Sequence, residues 1–329
     1  MSKENNTPFF SLIIPVYNVE RYIEECLNSI LQQKYENYEV LCIIDGSPDK
    51  SHEICNKYAS KDPRIKVIYQ ENQGAAAARN TGLDNATGEY IHFVDPDDRL
   101  PNCEVYSQLH NILKECQYDV LVGRSNYYQD TFDVKTEVGT WEEIKKENYN
   151  SLSFVLENDY FFALTSGVNK IYKRTMIIDN QVLWPLNIVN EDDYWLPRIF
   201  NKSRNVLFVS LDIYDVRRRE ASITSTRSNS RMCRRGQGYM KTALDNIGLL
   251  FENRLSKRAI KNGVSYYVQL YYMGFHMNRK YGGTEAGDLD VVKYMRYAGN
   301  IKMKLMYIAS RFVGENVVFD IMKRRYKID

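Results

Sequence analysis

Short apolar runs alternate with amphipathic stretches from Phe9 to about Gly123, the pattern of a mostly parallel sheet covered by helices. The first run, Phe10-Ser-Leu-Ile-Ile14, ends at Pro15-Val-Tyr-Asn18. Tyr22, Ile23, Cys26, Leu27, Ile30 and Leu31 then recur at helical spacing with charges opposite. Val40-Leu-Cys-Ile-Ile44 is a second strand followed directly by Asp45-Gly-Ser47. Ser47 as N-cap and Pro48 at the first helical position predict a helix carrying Ile54, Cys55 and Tyr58. A third unit runs from Ile65 to Tyr69, through Gln70-Glu-Asn-Gln-Gly74, into a helix over 75–86 with Gly88 as its C-terminal cap. The fourth strand, Tyr90-Ile-His-Phe-Val94, stops at Asp95-Pro-Asp-Asp98. The fold class is α/β.

In an open parallel sheet, ligands bind outside the carboxyl ends of the strands, so the loops at Asn18, Asp45, Gln73 and Asp95 are expected to share one rim. Beyond Tyr127 the periodicity is mixed, with Trp141 to Leu156 and the run to Phe162 reading as helical pieces. The pattern sets boundaries at 1–125, 126–226 and 227–329, the second stretch expected to cover the rim. The last stretch is helical and basic. Between Val292 and Asp329 nine Lys or Arg face only Glu315, Asp320 and Asp329. The simpler reading of this segment is a solvated helical tail packing on its own domain. Its interleaved Met303, Leu305, Ile308 and Phe312 also suit contact with the headgroups of an anionic membrane.

Composition narrows the classes. The 329 residues are 44% hydrophobic and 13% aromatic, enough to bury a full core. The net charge of +2 argues against a nucleic-acid binder with a basic surface. The N-terminus carries acids and amides and no apolar signal region, and no apolar run approaches a membrane span. The expected location is the cytoplasm, where the basic tail would suit the inner face of the cell membrane. The six cysteines form no C-x-x-C pair and suggest neither a zinc site nor a disulfide framework.

Two acidic groups carry candidate chemistry. Asp95 and Asp97, two apart at a strand end, project to one side if the chain stays extended. They can then hold a hard divalent cation, Mn2+ or Mg2+, which can bridge diphosphate oxygens. Asp-Pro-Asp-Asp is equally a good turn sequence. The second group is Asn190-Glu-Asp-Asp193, followed by Tyr194 and Trp195. A carboxylate here can accept the proton of an attacking hydroxyl, and at an ordinary pKa near 4 it does so only in concert with bond formation. The alternative is an N-cap with a negatively charged first turn.

Four motifs in order resemble the inverting glycosyltransferase family 2, non-processive and of bacterial polysaccharide type, with the GT-A fold. They are Pro15-Val-Tyr-Asn18, Ile44-Asp-Gly-Ser47, Asn72-Gln-Gly-Ala-Ala-Ala-Ala-Arg-Asn-Thr-Gly82 and Asp95-Pro-Asp-Asp98. Weaker similarity continues through Asn169-Lys170, Glu191-Asp192 and 217–224, so the resemblance covers about two thirds of the chain. It implies a GT-A domain whose 1–125 half binds a nucleotide sugar and whose 126–226 half binds the acceptor, followed by the helical, basic 227–329 region. It further implies transfer of one sugar from a UDP-sugar to a hydroxyl of a glycan acceptor, lipid-linked as in capsule, O-antigen or exopolysaccharide synthesis, by metal-assisted single displacement. By the resemblance, Pro15, Tyr17 and Asn18 line the base and ribose, Asp45 bonds the uracil edge, and Gly74 lies in the loop from which Arg79 reaches the donor. Asp95 contacts ribose or sugar, Asp97 with Asp95 ligates the metal, Asp192 is the catalytic base, and Glu191 orients the acceptor. Asp193 replaces Asp192 as base if the helix starts one residue differently. Lys170 and Arg217 supplement the cation at the diphosphate.

The chain departs from the family at Ile44, where the first Asp of D-D-G-S is usual, and at Asp215 and Val216, where tyrosines are frequent. The Q-x-x-R-W of processive synthases is absent. Two other classes compete: a sugar nucleotidyltransferase, which would want a Gly-rich, basic loop near the N-terminus, and a non-catalytic nucleotide-sugar or glycan-binding relative, which would have lost one of Asp95, Asp97 or Asp192.

Overall fold

The computed structural model describes residues 7–128, 143–218, 228–253, 255–283, 290–313 and 317. In chain order its elements are β1 (Phe10–Val16), α1 (Ile23–Leu31), β2 (Tyr38–Asp45), α2 (Ser51–Ala59), β3 (Ile65–Gln70), α3 (Ala75–Asn85), β4 (Tyr90–Phe93), α4 (Val105–Leu113), β5 (Val120–Tyr128), β6 (Ile144–Lys146), α5 (Ser151–Glu157), β7 (Lys170–Lys173), α6 (Arg174–Asp179), α7 (Glu191–Lys202), β8 (Val206–Arg217), α8 (Asn229–Glu252), α9 (Lys257–Lys280), α10 (Asp290–Tyr294) and α11 (Ile301–Val313). Two compact units share the chain. The first takes Met1–Asn148, Ser166–Leu186 and Lys202–Glu220; the second takes Tyr149–Thr165, Asn187–Asn201 and Ala221–Asp329.

In the first unit the described strands form one eight-stranded sheet in the order β3-β2-β1-β4-β7-β5-β8-β6. The first four are mutually parallel, β7 runs antiparallel to both β4 and β5, β8 is parallel to β5, and β6 antiparallel to β8. The expected mostly parallel sheet is present, and its central strands are continuous apolar runs because helices cover both faces. Every residue of β1 and β2 is buried.

A proline in a central strand needs explaining. Pro15 pairs with Ile43 of β2, while Ile13 accepts the Val94 N–H from the β4 side. Alternation puts the Pro15 nitrogen on that same β4 side, and β4 ends at Phe93, opposite Ile13. The missing donor therefore falls where no ladder bond is required.

The structure moves several expected boundaries. Helix α2 starts at Ser51 behind Lys50, with no side-chain cap; the Ser47 hydroxyl instead accepts the Asn18 N–H at 2.8 Å. Helix α3 ends at Asn85 with Ala86 extended, so Gly88 is no cap. Gly88 lies against β1, where a Cβ would sit 2.7 Å from the Ser11 nitrogen. Within the stretch read as helical from Trp141, Ile144–Lys146 forms strand β6, since pairing along β8 overrides a weak local pattern; residues 141 and 142 lie outside the described residues.

The second unit is helical, as the pattern of its C-terminal part predicts. Gly236 of α8 and Gly274 of α9 let the two long helices approach backbone to backbone: a Cβ on either would lie within 2.4 and 2.6 Å of the other's carbonyl oxygen. No described helix is long and apolar enough to cross a membrane.

In α3, the small residues bring the helix down onto β1, and a Cβ on Gly82 would meet Ile13 Cγ2 at 2.3 Å. Gly82→Ala should therefore destabilise the first unit by ~1–3 kcal/mol through overpacking, read as a lowered thermal midpoint. An unchanged midpoint would mean that α3 can slide on the sheet at no cost.

Candidate active site

The rim at the carboxyl ends of β1 to β4 is built by loops that tie to one another. Asn18 adopts a left-handed backbone (φ 53°), tolerated by Asn, and leaves Tyr17 47% exposed. Asp49 organises the facing loop: it accepts from the Ser47 hydroxyl at 2.6 Å and from the N–H groups of Ser51 and Glu20 at 3.1 and 2.8 Å.

Asp45, at the end of β2, is buried. One carboxylate oxygen accepts from Gln70 Nε2 and the Gln73 N–H at 2.7 and 2.8 Å, the other from the Gly74 N–H at 2.8 Å. Its carbonyl accepts from Asn72 Nδ2 at 3.0 Å. The side chain expected at a uracil edge thus holds the β3–α3 loop, with Gly74 (φ 91°) as the N-cap of α3. Gly46 (φ 60°) permits this closeness, since a Cβ there would lie 2.9 Å from the Asn72 nitrogen.

The chain does not remain extended beyond β4. Asp95-Pro-Asp-Asp98 is a turn closed by Asp98 N–H to the Asp95 carbonyl at 3.1 Å, so Asp95 and Asp97 are presented by a turn rather than by strand alternation. Arg79 donates to Asp95 Oδ1 at 2.9 Å, with its guanidinium 4.6 Å from the Trp184 ring centroid. It is buried and acts on the turn. The Asp95 N–H donates to the Tyr214 hydroxyl at 2.8 Å.

Asp98, to which the sequence assigned no role, is the buried member. It accepts the Arg217 N–H at 2.7 Å and the Tyr214 hydroxyl proton. Burial first, then the charges of Asp95 and Asp97, push its carboxyl well above the usual range. Arg217 Nε donates to the Asp97 carbonyl at 2.9 Å and the guanidinium also pairs with Glu25.

Two basic residues expected at a diphosphate are otherwise engaged. Arg217 is 8% exposed and Lys170 fully buried, the Lys170 ammonium donating to the Ser166 carbonyl and to Asn169 Oδ1. Both support the framework because β7 and β8 carry them into the sheet. Asp215, where the family often has an aromatic residue, pairs with Arg99 at 3.3 Å and accepts from Asn126 at 3.2 Å.

Among the described residues no group of three or more His, Cys, Asp or Glu is arranged to hold a metal by itself. Asp95 and Asp97 are hard oxygen donors whose charges already burden Asp98. Their donor chemistry fits a hard divalent cation.

In the second unit, Glu191, Asp192 and Asp193 form the first turn of α7, where carboxylates complement the helix dipole. Asn190, before them, is left-handed (φ 63°). Burial raises the Asp193 carboxyl to about 7, with Glu191 adding and Arg235 opposing. Pro197 lies inside α7 and cannot donate to the Asp193 carbonyl four residues earlier. Asn246 Nδ2 of α8 donates to it instead at 2.9 Å. Arg198 donates to Asn246 Oδ1 at 2.8 Å and to the Tyr194 carbonyl at 2.6 Å. A proline inside an acid-led helix was legible as an orphaned carbonyl; its partner, some fifty residues later, was not.

A carboxyl raised from an unfolded value near 4 to about 7 takes up a proton on folding between those limits. Its stabilising contribution is complete below about pH 4 and is lost as pH rises through about 7. Urea unfolding of the wild type across this window should show that loss, and Asp193→Asn should flatten the slope; an identical slope in both would sink the assignment.

Residues 11–177 match the model for glycosyl transferase family 2. The chain is 36% identical over 224 residues to the glycosyltransferase GlyA of Streptococcus pneumoniae, covering 65% of this chain and 31% of that protein. It is 31% identical over 227 residues to GlyG of the same organism, covering 66% of this chain and 73% of that one. The chain thus spans about a third of the first relative and nearly three quarters of the second. Among solved structures, S. aureus TarS 1–349 in complex with UDP-GlcNAc superposes with a TM-score of 0.66 at 20% identity, covering 97% of this chain and 92% of that one. The mannosyltransferase PcManGT of Pyrobaculum calidifontis, in complex with GDP-Man and Mn2+, gives 0.55 at 14%, covering 98% and 88%. These two share the GT-A fold with the chain. With half of its length matched by the family model and the four rim motifs in place, this chain belongs to glycosyl transferase family 2.

Proposed function

We propose that the chain transfers one sugar from a UDP-sugar to a hydroxyl of a glycan acceptor, with inversion. The observation that carries this reading is the Asp95–Asp98 turn. Two carboxylates stand at the end of β4, fastened by Arg79, Tyr214 and Arg217, in a chain of this family. The UDP-GlcNAc complex of a protein with the same fold supports the choice of UDP. Residues 1–125 would carry the donor, with Pro15, Tyr17 and Asn18 along base and ribose, and 126–226 the acceptor, lipid-linked as in cell-envelope polysaccharide synthesis.

In the reaction, the acceptor oxygen bonds to the anomeric carbon as the bond from that carbon to the diphosphate oxygen breaks. The acceptor proton passes to a carboxylate of α7, and UDP leaves. Asp95 and Asp97 would hold Mn2+ or Mg2+, which when bound supplies neutralising charge to the diphosphate. Asp45 and Gly74 shape the donor loop, and Arg79 sets the orientation of Asp95. Lys170 and Arg217 act through the framework they hold.

The proton acceptor has two readings. Motif position assigns it to Asp192, with Glu191 orienting the acceptor. The raised carboxyl of Asp193 favours Asp193, because a general base works best with a pKa near the working pH.

UDP release from a panel of UDP-sugars, with Mn2+, Mg2+ or EDTA, tests the reading. Asp97→Ala and the variant lacking the base should each lose about 100-fold or more in kcat. If Asp193 is the base, kcat falls as pH drops below about 7, and Asp193→Asn rather than Asp192→Asn is the inactive variant. Donor binding without transfer in any acceptor mixture would favour a glycan-binding relative, and pyrophosphate release from a sugar phosphate and UTP a nucleotidyltransferase.

The C-terminal region supports a peripheral site on an anionic membrane. Ile301, Leu305 and Ile308 lie exposed along one side of α11, while residues 291–313 carry Lys293, Arg296, Lys302, Lys304 and Arg311 and no acid. Co-sedimentation with phosphatidylglycerol vesicles, but not phosphatidylcholine ones, should fall about tenfold in Ile301→Asp plus Leu305→Asp. Equal recovery with both vesicle types would leave α11 a solvated helix.

A further inference from the structure

Pro197 creates a defect at the point where α7 presents its acidic turn. An α-helix satisfies each carbonyl with the N–H four residues on, and at position 197 that N–H is missing. The Asp193 carbonyl is left over, and the proline ring crowds it away from the helix axis. Two outcomes are open to such a carbonyl: hydration with a loosened turn, or capture by another donor. Here it is captured. Asn246 is fully buried, and its Nδ2 reaches the Asp193 oxygen at 2.9 Å.

The orientation of that amide is forced by chemistry. A carbonyl can only accept and the Arg198 guanidinium can only donate. Nδ2 must therefore face Asp193, and Oδ1 must face Arg198, 2.8 Å away. Arg198 is immobilised in turn, lying 3.4 Å from the centroid of the Tyr194 ring and donating to the Tyr194 carbonyl. One amide thus fixes two consecutive backbone positions of the first turns of α7. The rotation of those turns about the helix axis decides where the Glu191, Asp192 and Asp193 side chains point.

We propose that Asn246 is a positioning residue for the acidic turn of α7: by standing in for the N–H that Pro197 lacks, it sets which carboxylate is presented to the acceptor hydroxyl. The inference rests on the reading above that a carboxylate of this turn takes the acceptor proton. It goes beyond that reading in naming a residue on another helix and the backbone atom through which it acts. The charged and titratable groups around Asp193 are Glu191 on its own helix, Arg235 on α8, and Tyr266 and Tyr267 on α9.

The test is a rescue. Asn246→Ala should lower kcat about tenfold or more with little change in the KM for the donor, and should move the acidic limb of the pH–rate profile. Adding Pro197→Ala restores a backbone N–H at the position that reaches the Asp193 carbonyl. The double variant should recover most of the lost kcat and the original limb, the recovery being judged against Pro197→Ala alone as a double-mutant cycle. The lost Arg198 acceptor is common to the single and double variants, so it cancels. Were Asn246→Ala not to fold, Asn246→Leu keeps the volume without adding a charge, the lost Arg198 acceptor is again common to the single and double variants, and the same rescue applies. A double variant no more active than Asn246→Ala, at equal folded fraction, would overturn the proposal.

The midpoint of the Asp193 carboxyl, followed by 13C NMR in the same four proteins, separates the two ideas. If Asp192→Asn and Asp193→Asn both retain full transfer, the base assignment has failed. The Asp193 midpoint still reports whether Asn246 sets the turn, shifting in the single variant and returning in the double; a midpoint unmoved by Asn246→Ala would overturn the positioning role itself.

Discussion

Three carboxylates within four residues repel one another, and the structure of the first unit follows from how that repulsion is contained. At the end of β4, Asp95 and Asp97 are half-buried, while Asp98 is buried, and burial with its neighbours' charges pushes its carboxyl well above the usual range. The compensation comes from distant parts of the chain: Arg79 from α3, Tyr214 and Arg217 from β8. These donors fix the backbone of the turn and the Asp95 carboxylate.

Pro15 in β1 and Pro197 in α7 each remove a backbone donor. Pro15 does so where β4 has already ended, so the loss costs nothing and the strand runs straight into the exposed Tyr17–Asn18 loop. Pro197 does so inside a helix, where the loss leaves a carbonyl that a buried amide must take. In the first case topology absorbs the defect; in the second a specific side chain does, and that makes the second a point of control.

The four motifs lie on the loops at the carboxyl ends of β1 to β4, and several of the side chains expected at the ligand make framework contacts in the structure. Asp45 holds the loop before α3, Lys170 is buried at the start of β7, and Arg217 ties Asp97, Asp98 and Glu25 together. A motif records that a residue type is required at a position, and that requirement reads the same whether the side chain touches a ligand or holds the one that does. Ser47 is similar: its hydroxyl has the chemistry of a helix cap, but it satisfies the Asn18 N–H because a neighbouring loop reaches it first.

By itself the sequence determined the alternation of strands and helices to Val94, the four rim loops and the acid-led start of α7, because these depend on local periodicity and on residue types that few other conformations accept. Tertiary structure decided what depends on distant partners. It placed β6 at the sheet edge against β8, buried Asp98 under Tyr214, raised the Asp193 carboxyl through packing with α8 and α9, and matched Asn246 to the carbonyl that Pro197 abandons. Desolvation and hydrogen-bond satisfaction are properties of neighbours in space, and a chain specifies those neighbours only once it has folded.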